Sequence, residues 1–141
     1  MSERALRIVV AALATGGAAV AAYLTYARFT HTAIACTTGG CDTVQSSRYA
    51  EVAGIPVAIL GLGAYVVILA TAFSTSDLAR AGAAAVALAG TLFASYLLYV
   101  QLVVIDALCQ WCLVSDGALA LLAAATVLRL LGARRVAAEG D

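Results

Sequence analysis

Residues 107–131 read ALCQWCLVSDGALALLAAATVLRLL. The stretch is apolar for long enough to cross a bilayer, which takes about twenty residues. It holds one acid, Asp116, and one base, Arg129, near its far end. A pair of cysteines, Cys109 and Cys112, stands at its head. Three more apolar runs lie upstream, at 8–27, 55–73 and 81–104. Hydrophobic residues make up 64% of the 141-residue chain and charged residues 11%. Soluble domains sit nearer 45–50% and ~25%, so this chain is built for an apolar solvent. The expected fold is all-α: an integral membrane four-helix bundle, forming a single domain over 1–141. A first run of twenty residues is too long for the core of a secretory signal, commonly ~7–15 residues, so it reads as a retained span.

Small residues recur within the runs (Gly16-Gly17-Ala18-Ala19, Gly61-Leu62-Gly63-Ala64, Ala83-Ala84-Ala85), as suits close helix contact in lipid. Pro56 stands at the start of the second run, where its missing N–H costs nothing. Ser76 or Asp77 is placed to cap the third helix, and Asp106 the fourth.

Charge orients the spans. All eight basic residues are arginine, and Arg4, Arg7, Arg80, Arg129, Arg134 and Arg135 fall at one set of helix ends. Only Arg28 and Arg48 fall at the other. Basic loops stay in the cytoplasm, which puts both termini there and turns the 28–54 loop outward. Formal net charge is zero, and nothing implies a nucleic-acid partner.

All four cysteines then lie at the outward, oxidising end: Cys36 and Cys41 in the loop, Cys109 and Cys112 at the head of the fourth helix. Two residues three apart share a helix face, and a helix N-terminus favours a thiolate, the nucleophile of disulfide exchange. Cys36-Thr37-Thr38-Gly39-Gly40-Cys41 places two glycines in a loop able to open and close a small ring. A redox pair on a mobile loop feeding a fixed pair at the membrane is the favoured reading. Static disulfides, a zinc site of C-x4-C plus C-x2-C, and inert apolar thiols are the competing ones.

The stretch 36–61, CTTGGCDTVQSSRYAEVAGIPVAILG, followed by Cys109-Gln110-Trp111-Cys112, resembles the vitamin K epoxide reductase family in its bacterial form. The order of motifs separates it from the DsbB family, where the Cys-x-x-Cys comes in the first outer loop; here it comes last. The resemblance implies a four-helix bundle around a quinone, menaquinone or ubiquinone, in a bacterial inner membrane. It implies a catalytic pair Cys109 and Cys112, with Cys112 beside the ring, and a shuttle pair Cys36 and Cys41. Ser47 matches a serine on a short amphipathic helix in the outer loop that covers the site. Relatives often carry a fused thioredoxin-like domain; this chain resembles the stand-alone form, which implies a separate DsbA-type thioredoxin-fold partner. Asp116 stands where vertebrate members have a quinone-holding tyrosine. An intramembrane acid on the face of Cys109 and Cys112 is a candidate donor to the ring. Trp111 is a candidate wall of the same pocket. Gln45 and Ser47, half a turn apart, are expected not to face that pocket together. Arg48 and Glu51 read as surface groups and the lone His31 as solvated. Within the enzyme class, reduction of a quinone epoxide is the alternative reaction.

Overall fold

A computed structural model describes residues 1–141. It is mostly helical. α1 spans Glu3–Thr30, α3 Val57–Ala72, α4 Asp77–Tyr99 and α5 Gln110–Glu139; the six-residue α2, Cys41–Ser46, lies in the connection after α1. α1 packs on α3 and α5, and α4 packs on α5 and α3. Three helices, α1, α5 and α4 with its π-helical continuation, are long and apolar enough to cross a membrane. α3 is apolar but shorter, at 16 residues.

The packing has an inside-out character. α4 buries Ala83, Ala84, Ala87 and Ala94 and turns Leu88, Leu92, Phe93, Tyr96 and Tyr99 outward. Small residues let backbones approach, while large apolar side chains left outside suit lipid. α1 buries Leu6, Val10, Ala14, Gly17, Ala21, Leu24 and Ala27, a three-and-four spacing that keeps one stripe facing its neighbours. Gly17 is a contact point, since a Cβ there would overlap the buried Tyr65 ring of α3. The Tyr65 hydroxyl then reaches the Ser115 carbonyl on α5 at 2.8 Å.

Two expected boundaries move. The second apolar run begins as backbone strand: β1 (Glu51–Val52) pairs antiparallel with β2 (Ile55–Pro56), and the helix starts only at Val57. The two residues between them, Ala53 and Gly54, both have positive φ, 53° and 82°. That geometry makes a tight hairpin turn whose twist matches the strands. The third run stays helical through Tyr99, loosens into a π-helical turn over Val100–Ile105, and stops where Asp106 turns left-handed at φ 52°. Asp106 therefore ends this segment and does not cap α5; Cys109 is the cap. Ser76 stands at the N-cap of α4 without a side-chain cap bond.

At the end away from the cysteines, Glu3 gathers Arg7 (3.3 Å), Arg80 (3.5 Å) and Arg129 (3.1 Å). The contacts join the start of α1 to the start of α4 and the far part of α5. Three of the six arginines that charge counting assigns to one set of ends, Arg7, Arg80 and Arg129, meet there on Glu3.

Candidate functional site

Cys109 occupies the N-cap of α5 with extended backbone, and its sulfur accepts the Cys112 N–H at 3.4 Å. Its own N–H donates to Gln101 Oε1 at 2.9 Å, from a glutamine buried in the π-helical turn. Two of the backbone donors at the head of α5 thus find partners, and the first sulfur sits at the positive end of the helix dipole. Cys112, one turn on, is also free.

Cys36 and Cys41 are joined by a disulfide. Cys41, 1% exposed, packs with Cys109, 0% exposed, in one buried cluster with Val44. Cys36 lies at its edge, half-buried. The bond leaves Cys109 and Cys112 as the two free cysteines.

The disulfide loop is strapped to the head of α5. Thr37 donates its N–H (3.0 Å) and hydroxyl (2.5 Å) to Gln110 Oε1. The Thr38 hydroxyl donates to the Leu108 carbonyl (2.8 Å), and Trp111 Nε1 donates to the Ala35 carbonyl (2.6 Å). Gly40 lies so close to Leu108 that a Cβ would overlap its backbone. Gly39 has φ 76°, a conformation that glycine adopts without strain.

On the other side of Cys112 lies a cavity of about 190 Å³ between the helices, with mostly apolar walls. Cys112, Asp116, Ser47, Gln45 and Gln101 are among its polar lining, with Ser115 and Tyr49. Asp116 Oδ2 is buried there without a hydrogen-bond partner. An apolar slot, a thiol and an orphaned acid oxygen match a flat ring carrying carbonyl oxygens, so the residues present fit a quinone.

Of the predicted site residues, Ser47 and Asp116 line the cavity and Trp111 does not. Its indole stacks edge-on against Tyr23, with ring centroids 5.5 Å apart, and holds the loop. Ser47 is not on the short helix: α2 ends at Ser46, and Ser47 is extended (φ −69°, ψ 157°) with its hydroxyl on the Val44 carbonyl. That break in helical geometry corrects one expectation, because it lets Gln45 and Ser47 face the cavity together. Arg48 does stay outside, bonded to the Tyr49 hydroxyl. Glu51, at the surface, takes an ion pair from Arg28, whose other nitrogen donates to the Gln45 carbonyl at 2.6 Å.

A family model described as the vitamin K epoxide reductase family matches residues 8–127. The chain belongs to this family. Membership makes it a membrane thiol–disulfide oxidoreductase working with quinone, and vitamin K epoxide reductase relatives generally work with thioredoxin-like proteins. The sequence reading weighed Gln45 only as a rival of Ser47 for the pocket, and missed Gln101, Gln110 and the role of Arg28. Gln45 alone left a trace, four residues after Cys41 and so on its helical face.

Proposed function

We propose that this vitamin K epoxide reductase family member is a dithiol:quinone oxidoreductase that reoxidises a separate DsbA-type thioredoxin-fold protein outside the cytoplasm. In this reading all of α1, α3, α4 and α5 cross a bacterial inner membrane, with the termini cytoplasmic and α2 lying in the outer surface. The carrying observation is the gradient of access along the four sulfurs. Cys36 is half-exposed, Cys41 is buried against Cys109, and Cys112 opens on the cavity.

The gradient orders the steps. A partner thiolate reaches Cys36, forms a mixed disulfide and releases Cys41 as a thiolate. The partner's second thiol displaces Cys36, leaving the partner oxidised. Cys41 attacks Cys109 of a Cys109–Cys112 disulfide, and Cys112 departs with the electron pair. Cys36 then attacks Cys41, restoring the loop disulfide and freeing Cys109. A bonded loop pair beside a free helix pair is the arrangement that these transfers would leave. A quinone bound in the cavity would accept the electron pair as Cys112 and Cys109 re-form their disulfide; the Cys109 thiol would release one of the two protons, Asp116 Oδ2 is placed to supply the other, and Ser47 to orient the ring. The apolar walls exclude water from the exposed thiolate. Attack rates follow thiolate access, which is why the outermost sulfur meets the protein and the innermost does not.

The test is quinone reduction by the purified chain in detergent, with menaquinone and ubiquinone analogues and a reduced DsbA-type protein as donor. Turnover is expected in the wild type and abolished by Cys109→Ser and Cys112→Ser. Cys36→Ser and Cys41→Ser are expected to stop turnover from the protein donor and to spare it from a small dithiol. A wild type inactive with every quinone and donor would sink the proposal.

A further inference from the structure

α2 brings two groups to one place. Cys41 opens the helix and Gln45 follows four residues later on the same face. Cys41 packs on Cys109, while Gln45 Nε2 lies 3.3 Å from Cys112 Sγ and 4.0 Å from Cys109 Sγ. The two sulfurs of the helix pair are served differently. Cys109 takes the Cys112 N–H at the helix start, and the amide donor that reaches Cys112 Sγ is that of Gln45. The backbone that carries the glutamine is held, because Arg28 at the end of α1 grips the Gln45 main-chain carbonyl and pairs with Glu51 of the hairpin. A fixed amide donor beside a sulfur in an apolar cavity acts most strongly when that sulfur is charged.

We infer that Gln45 is a catalytic hydrogen-bond donor to the departing Cys112 thiolate, so that one short helix delivers both the attacking sulfur and the group that stabilises the leaving one. The inference deepens the thiol–quinone reading and rests on it. In the internal transfer, the Cys41 thiolate forms a bond to Cys109, the Cys109–Cys112 bond breaks, and the electron pair leaves on Cys112. The negative charge moves from Cys41 to Cys112, and the Gln45 N–H meets it there. The donor favours the open form of the pair, which makes the Cys109–Cys112 disulfide a stronger oxidant, as stabilising any reduced form does.

The experiment uses the full-length chain in detergent, as wild type, Gln45→Leu and Gln45→Glu. Each is equilibrated in dithiothreitol redox buffers and acid-quenched, and both cysteine pairs are counted by alkylation and mass spectrometry. Leucine keeps the volume and removes the donor; its Cys109–Cys112 equilibrium is expected to move about tenfold toward the disulfide, or ~30 mV. Glutamate places an acceptor beside the thiolate and is expected to move it further. The Cys36–Cys41 equilibrium in the same samples reports whether α2 is still seated, and is expected to stay within about twofold of wild type. A Gln45→Leu equilibrium for Cys109–Cys112 within twofold of wild type overturns the inference, and so does an equal shift of both pairs. No quinone enters this measurement. A wild type that fails to reduce quinone would therefore defeat the proposed reaction while the Gln45 result stayed readable.

Discussion

Cys112→Ser removes the sulfur that leaves and keeps the one that is attacked. Cys109 then has no partner on α5, yet it remains packed against Cys41 of the loop disulfide. Its thiolate can open that disulfide and stay bonded to Cys41, releasing Cys36. Non-reducing peptide mapping of the variant is expected to find Cys41 linked to Cys109; a Cys36–Cys109 link would reverse the proposed order of the loop cysteines. Asp116 makes the second argument at this scale. Asparagine in its place keeps a polar group toward the cavity and loses the transferable proton. The kcat for quinone reduction by a small dithiol is expected to fall about a hundredfold, with KM for quinone little changed, as for loss of a general acid. An equal fall in kcat/KM through KM alone would make Asp116 a binding group and nothing more.

At the scale of elements, the decisive contact is between the start of α2 and the backbone before α5. Gly40 has an ordinary φ of −99°, so alanine there would be conformationally harmless. What forbids it is Leu108, whose backbone would meet the new Cβ. Gly40→Ala is expected to lift the disulfide loop from Cys109 and cut turnover from the protein donor at least tenfold. Turnover from a small dithiol, which can reach Cys109 and Cys112 without the loop, should survive. Equal loss with both donors would mean that the cavity had collapsed as well. The same glycine shows where sequence reading stops. Gly39 and Gly40 read as one flexible pair, but one serves a left-handed turn and the other a close approach, a distinction that depends on a residue almost seventy positions away. The apolar runs and the cysteine spacing were legible because period and length are local properties. The β-hairpin that shortens α3, and the glutamines that hold the loop and the thiols, depend on long-range pairing, and no local pattern announces them.

The whole molecule separates its chemistry from its anchorage. Every sulfur and the cavity lie toward one end, and the ion cluster around Glu3 lies at the other. Arg129 is 1% exposed, and Glu3 is the only carboxylate that reaches it. Counting charges along the chain marks Arg129 merely as a topology signal; in the fold it also closes a contact between the first helix and the last. Removing one partner of a buried pair leaves an uncompensated charge, a loss of about 3–5 kcal/mol when both groups are deeply buried. Glu3 is partly exposed, with 39% of its side chain accessible, so water can answer part of that charge. Glu3→Gln is therefore expected to cost about 1–3 kcal/mol and to lower the melting temperature in detergent. Arg129→Met removes the buried charge itself, and in the double variant the loss should be smaller than the sum of the singles, because neither change then strands a charge. Below their melting points all three variants should keep wild-type kcat with a small dithiol, since nothing in the cysteine cluster or the cavity touches Glu3. Additive losses in the melting cycle would show that the pair contributes no coupling. A fall in kcat at full folding would show that the far end of the bundle shapes the thiol site and that the two ends are not separate.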